Sequence, residues 1–180
     1  MDFIDHQTEL TELVQDILTE ANQQGADQAE VSVSMDQGLG VRVRKGELEN
    51  LEFNQDRGFG ITLYFGQRKG SASTTDSSLE AIRDTVKAAK NIAQHTQEDE
   101  CSGLADKALM PTHAMDLDLY HPWKIEPEEA TQLAIECEAA GLRVDDRLVN
   151  SDGAEVSTQQ GLRVYGNSHG FIGSYSGTRH

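Results

Sequence analysis

The feature that most constrains the fold is the close spacing of turns between residues 31 and 75. Val31, Val33 and Met35 alternate with Ser32 and Ser34, the period of two of a half-buried strand. Gly38 and Gly40 read as a turn. Val41 and Val43 then alternate with Arg42 and Arg44, and Lys45-Gly46 reads as a second turn. Leu51 and Phe53 alternate with Glu52 and Asn54. Phe59, Ile61, Leu63 and Phe65 form the strongest strand pattern in the chain. Gly66-Gln-Arg-Lys-Gly70 reads as a hairpin connection leading to a polar strand over 71–75. Parallel neighbours need a crossover of about a dozen residues or more, and no connection here is that long. The sheet is therefore expected to be antiparallel.

Helical periods flank this run. Leu10, Leu13, Val14, Ile17, Leu18 and Ala21 recur at three-and-four spacing, and Gly25 is the expected stop. A second helix is expected to open at Ser77, where Ser77-Ser-Leu-Glu80 fits a capping box. Its apolar face runs through Leu79, Ile82, Val86, Ala89 and Ala93. A third begins at Pro127, a residue favoured at the first helical position. Glu128 and Glu129 suit the positive end of its dipole. Its expected buried face is Ala130, Leu133, Ala134, Cys137, Gly141 and Val144. Strand patterns return at Gly161–Tyr165 and Phe171–Ser176. The fold class is α+β, an antiparallel sheet with flanking helices.

The organisation expected is a helix–sheet–helix domain over 1–109, a linker or crossing segment over 110–126, and a helix plus strands over 127–180. The middle segment holds Pro111, Pro122 and the single Trp123. Gly60–Thr74 and Gly161–Thr178 echo one another. Each has an apolar strand, a Gly-polar-polar-polar-Gly turn and a serine-bearing second strand. The echo admits two readings, two related halves of which the second is incomplete, or two similar hairpins. A sheet stopping near Arg179-His180 would leave an open edge, so the polypeptide is expected to continue or to pair there with another chain.

Charge excludes some functions. The chain has 31 Asp+Glu against 15 Lys+Arg, a net charge of −16. Such a chain repels polyanions, and its basic groups, Arg42-Val-Arg44-Lys45 and Arg68-Lys69, fit solvated strand or turn positions better than a nucleic-acid patch. Nothing approaches the ~18 consecutive apolar residues of a membrane span. Met1–Asp5 is acidic and unlike a signal peptide. Cys101 and Cys137 permit one disulfide by count, but a buried reduced Cys137 is expected. These features point to a cytoplasmic protein without direct nucleic-acid or membrane contact.

The residues offer no self-sufficient active site. The six histidines, His6, His95, His113, His121, His169 and His180, contain no His-Glu-x-x-His arrangement and no pair one helical turn apart. His113 and His121 flank Asp116 and Asp118 without metal-ligand spacing. Gly166-Asn-Ser168-His-Gly170 resembles a nucleophile elbow only superficially, because it lies between two strands. Gly38-Leu-Gly40 leads into a strand rather than a helix, so it is no dinucleotide cradle. Glu47, Glu49 and Glu52 fit a solvated strand face. No catalytic, cofactor-binding or metal residue is assigned.

Several runs nevertheless carry a family likeness, in order along nearly the whole chain. They are Asp27-Gln-Ala-Glu-Val-Ser-Val33, Glu49-Asn-Leu-Glu-Phe-Asn54, Gly58-Phe-Gly-Ile-Thr62, and Arg68-Lys-Gly-Ser-Ala-Ser73 with Thr75-Asp76. Ala105-Asp-Lys107, Asp116-Leu-Asp-Leu119 with His121-Pro122, and Val164-Tyr-Gly-Asn-Ser-His-Gly170 with Thr178-Arg-His180 follow. Together they resemble the amino-terminal part of the TldD/PmbA family, of the PmbA (TldE) type. That resemblance implies a portion of a metallopeptidase complex acting on unfolded or modified peptides. It implies a TldD-type partner subunit, or self-association, and an extended peptide as substrate. Zinc is expected in the TldD-type partner, held by a His-Glu-x-x-x-His motif that no position here matches. The family has also carried the label of modulator of DNA gyrase, which makes a protein-binding adaptor the alternative.

Overall fold

The computed structural model describes residues 5–180, so the Met1–Asp5 reading falls almost wholly outside the described residues. The element order is α1 (His6–Gln23), β1 (Gln28–Arg44), β2 (Glu47–Phe65), β3 (Arg68–Thr74), α2 (Leu79–His95), a 3-10 turn at Lys107–Leu109, α3 (Pro127–Leu142), β4 (Ala154–Asn167) and β5 (Ile172–Arg179). The five strands form one sheet in the order β3-β2-β1-β4-β5.

Its antiparallel character follows from short connections. Lys45 and Gly46 join β1 to β2 with φ of 55° and 76°, both positive, as a two-residue type I′ hairpin requires. Gly66 takes φ of 59° in the Gly66-Gln67 link of the next hairpin, while Gln67 stays negative, the pattern of a type II′ turn. β2 and β3 pair in register from Phe65↔Arg68 to Phe59↔Thr74. β4 returns to β5 through Ser168–Phe171, where the Asn167 N–H donates to the Phe171 carbonyl. Both segments of the sequence echo are thus hairpins of a single sheet, placed on opposite sides of β1.

Several sequence expectations are corrected. Gly38 and Gly40 do not turn the chain, because β1 runs through them without positive φ. Gly38 instead admits a close neighbour: a Cβ there would lie 3.0 Å from the Thr158 carbonyl oxygen. The two strands expected over 51–65 are one strand, β2, of 19 residues. α2 is capped by Ser78, not Ser77. The Ser78 Oγ accepts from the Ala81 N–H at 3.3 Å, and Asp76 accepts from the Ser78 N–H at 2.8 Å. Leu79 is consequently exposed rather than part of the buried face. On α3 the buried stripe is Ala130, Ala134 and Glu138, a narrow four-residue spacing. Leu133, Cys137, Gly141 and Val144 are exposed, Val144 to 79%. Cys101 and Cys137 are both free and exposed, so the buried thiol is not found.

The chain forms two interleaved compact units. The first comprises 1–35, 56–118 and 162–176, and the second 36–55, 119–161 and 177–180. In the first, Val31, Val33, Met35, Phe59, Ile61, Leu63, Leu162 and Val164 are buried on one face of the sheet. Gly70, opposite Leu63, is pressed against Ala89 and Ala93 of α2, and Gly166 against Val14 and Leu18 of α1. Both helices therefore cover this face. In the second unit Val41, Ile125 and Ala130 form a hydrophobic cluster with Leu39 and Val156 packed against it, and Val43 and Ala134 are buried as well.

Candidate functional site

The opposite face of the sheet in the first unit is built differently. Alternation that buries Val31 and Val33 turns Glu30, Ser32 and Ser34 outward. The neighbouring strands add Gly58, Gly60 and Thr62, and then Ser71 and Ser73. Two shallow depressions of about 460 and 550 Å³ lie along this face, sharing Ser32, Gly60 and Ser73. Gly60 keeps the floor low, because a Cβ there would stand 2.9 Å from the Ser32 Oγ. Thr62 and Ser71 hydroxyls bond to each other at 3.0 Å. The result is a shelf of small hydroxyl side chains.

One end of the shelf is closed by a carboxylate between two phenols. Glu30 accepts from the Tyr64 hydroxyl at 2.8 Å and from the Tyr165 hydroxyl at 3.0 Å. Burial, then the hydrogen bond to Glu30 and its charge, pushes the Tyr64 phenol well above its ordinary range. Burial foremost also raises Tyr165, with Glu30 adding to it and Asn167 opposing it. Both phenols are therefore neutral donors at physiological pH. The sequence shows Glu30 only as a polar alternate of a strand. Nothing in it signals that Tyr165, 135 residues away, meets the same carboxylate.

The histidines are dispersed. His6 Nδ1 lies 3.0 Å from Glu9, His95 Nδ1 lies 2.8 Å from the Asn91 carbonyl, and His180 Nε2 lies 2.9 Å from the His121 carbonyl. His113 Nε2 meets the Thr112 hydroxyl at 3.3 Å. Among the described residues no three His, Cys, Asp or Glu side chains converge as a metal site requires. Ser168 is engaged structurally. Its Oγ accepts from the Ala29 N–H at 3.0 Å, while its own N–H donates to the Ala29 carbonyl at 2.9 Å. The second unit has a smaller groove of about 280 Å³ lined by Phe53, Trp123, Ile125 and Pro127 among others. The Trp123 ring meets His180 edge-on at 5.7 Å. No described helix is long and apolar enough to cross a membrane.

An antiparallel sheet with helices on one face and a hydroxyl shelf on the other defines an α+β module. The chain belongs to the PmbA/TldD metallopeptidase family: residues 29–93 match PmbA/TldA metallopeptidase domain 1, and residues 120–180 match its central domain. It is 49% identical over 155 residues to the metalloprotease PmbA of Escherichia coli O157:H7, covering 86% of this chain and 34% of that protein. It is 46% identical over 172 residues to the PmbA homologue of Haemophilus influenzae, covering 96% and 38%. The chain thus spans little more than a third of these relatives. Among solved structures, a proposed modulator of DNA gyrase from Bacteroides thetaiotaomicron matches with a TM-score of 0.78 at 20% identity, covering 94% of this chain and 39% of that one. TldE from Thermococcus kodakarensis matches with a TM-score of 0.66 at 15% identity, covering 92% and 37%. These two likenesses are of fold.

Proposed function

We propose that this chain is the amino-terminal scaffold region of a PmbA/TldE-type subunit of a cytoplasmic TldD–TldE zinc peptidase. In this reading it performs no bond cleavage itself. It helps shape the chamber through which an unfolded or modified peptide reaches zinc held by the TldD-type partner. The observation that carries the reading is the ordered match to the first and central domains of one metallopeptidase family. The hydroxyl shelf supports it, since neutral donors and acceptors beside an edge strand suit the repeating backbone of an extended peptide. The zinc's chemistry would be to activate water and polarise the scissile carbonyl.

The test is hydrolysis of an unfolded peptide by the whole subunit, alone and mixed with its TldD-type partner. Cleavage is expected only in the mixture and is abolished by a chelator. Chelator-sensitive cleavage by the subunit alone overturns the reading. A second reading, a non-enzymatic adaptor that modulates DNA gyrase, draws on the description of the Bacteroides structural relative. A pull-down in which the whole subunit retains gyrase but not the TldD-type partner would favour it. The net charge of −16 argues that any such modulation acts through protein rather than DNA.

A further inference from the structure

Among the described residues, Glu30 is bonded only to neutral partners. Its two oxygens accept from the Tyr64 hydroxyl at 2.8 Å and the Tyr165 hydroxyl at 3.0 Å, and no Lys, Arg or His pairs with it. An ionised carboxylate offers about four acceptor sites, so the two phenols leave it able to take further donors. Two basic residues lie on the same face of the sheet without answering this charge. Arg163, between buried Leu162 and Val164, donates from Nη1 to the Met35 carbonyl at 3.3 Å and the Leu162 carbonyl at 3.2 Å. Lys69 stands opposite Tyr64 on β3 and is exposed.

The depression of about 460 Å³ lies against the Glu30 carboxylate. Glu30, Tyr165, Ser32, Thr62, Ser71 and Ser73 all line it, and no Lys, Arg or His does. Glu30 is half-buried. A carboxylate recessed in a cleft is screened by less water than one on open surface, so it attracts a cation more strongly. The hydroxyls around it turn either way and accept from the same cation.

We infer that this end of the shelf is a subsite for a primary ammonium group of an extended peptide, either a lysine side chain or a free amino terminus. Glu30 is its counter-charge and the Ser32 hydroxyl a further acceptor. An ammonium carries three donors on a compact centre, which suits one charged acceptor among several neutral ones. Gly60 leaves room above the floor of the depression, where the methylene stem of a lysine lies against the Tyr165 ring. The subsite rests on the reading of the shelf as a peptide-binding surface, and it adds the chemistry that surface selects.

The test measures peptide binding to the whole subunit by fluorescence anisotropy. The probes are short labelled peptides of Gly, Ala and Ser. One is capped at both ends with a central lysine, a second is capped with norleucine in its place, and a third has norleucine and a free amino terminus. The lysine or the free-amine peptide is expected to bind about tenfold more tightly than the capped norleucine peptide, the gain of one charge-assisted hydrogen bond. Whichever shows the gain identifies the source of the ammonium. Glu30→Gln is expected to abolish the gain without weakening the norleucine peptide. Glu52→Gln makes the same charge change at an exposed strand position and is expected to keep it. Ser32→Lys, at an exposed position of the same depression, places a tethered ammonium beside an intact Glu30. It too is expected to abolish the gain, and it decides the question if Glu30→Gln does not fold. Equal binding of all three peptides, or binding of none, overturns the subsite. A gain that survives either folded variant also overturns it, by assigning the preference to the net charge of −16. Unselective binding together with cleavage in the mixture with the TldD-type partner sinks the subsite and leaves the peptidase reading. Selective binding without cleavage does the reverse.

Discussion

Glu138, on the third helix, accepts a hydrogen bond from the Gly46 N–H at 2.8 Å and, through its other oxygen, one from the Lys45 N–H at 2.9 Å. A helix side chain, only 5% exposed, thereby holds the turn of the first hairpin. The hydrogen bonds from Gly46 first and then Lys45 hold its carboxyl below the usual glutamate value. A carboxyl depressed on folding adds stability above its ordinary value of 4.5, and that contribution is lost as pH falls through the folded value. Glu138→Gln keeps one acceptor but turns an amide N–H toward the second backbone donor. It is expected to lower the urea midpoint at pH 7 more than Glu136→Gln does. It is also expected to flatten the fall in stability below pH 4.5. Equal acid profiles for the two variants would show that the contact contributes nothing.

Gly70 is a packing requirement. A Cβ there would lie 2.0 Å from the Ala89 carbonyl oxygen and 2.5 Å from the Ala93 nitrogen. Backbone on both sides cannot give way without moving the helix from the sheet. Gly70→Ala is expected to cost about 3 kcal/mol. Gly40 has open space around it and no positive φ, so Gly40→Ala is expected to be neutral or stabilising by ~0.5 kcal/mol. Urea denaturation of the two variants separates the roles that one residue type plays in two strands of one sheet.

That contrast shows what was legible in the sequence and what was not. Local signals carried far. Period-two alternation, the Lys45-Gly46 turn, the Gly66–Gly70 connection (which the structure shortens to Gly66-Gln67, with Arg68–Gly70 already in β3) and Pro127 at the start of a helix all act within a few residues, and they located the antiparallel sheet and its flanking helices. Glycine was ambiguous because turn and close approach use the same residue. Gly38-Leu-Gly40 looked like a turn, whereas Gly38 makes room for the Thr158 carbonyl. The third helix misled for a related reason. Leu133, Cys137 and Val144 match a helical apolar face, but the strands meet the helix along Ala130, Ala134 and Glu138, where small side chains and one carboxylate fit the hairpin. The shelf was least legible. Its character depends on Glu30, Tyr64 and Tyr165 meeting across three strands, and separation in sequence hides such a meeting.

The Glu30 cluster is expected to behave as a coupled unit. A phenol donating to a charged carboxylate contributes more than one donating to an amide. Tyr165→Phe is expected to cost about 1–2 kcal/mol in the wild-type background and less in a Glu30→Gln background. The coupling free energy from the double-mutant cycle is expected to exceed about 0.5 kcal/mol. Additive costs in urea denaturation would mean that the Tyr165 hydroxyl is exchanged for water without loss.

Ser168 separates a structural serine from a chemical one. Its hydroxyl accepts from the Ala29 N–H while its backbone N–H returns the bond to the Ala29 carbonyl, tying the β4–β5 turn to the start of β1. A nucleophilic serine needs a base to take its proton, and here the oxygen is committed as an acceptor to a backbone donor on a neighbouring strand. His169 is adjacent in sequence, with its own N–H bonded to Asn167 Oδ1 at 3.0 Å. Ser168→Ala leaves the Ala29 N–H without that acceptor and is expected to cost about 1 kcal/mol of stability. Peptide hydrolysis by the whole subunit mixed with its TldD-type partner is expected to remain at the wild-type rate at temperatures well below unfolding. A loss of hydrolysis by several orders of magnitude in a folded Ser168→Ala variant would assign the hydroxyl to the chemistry and displace the scaffold reading of this turn.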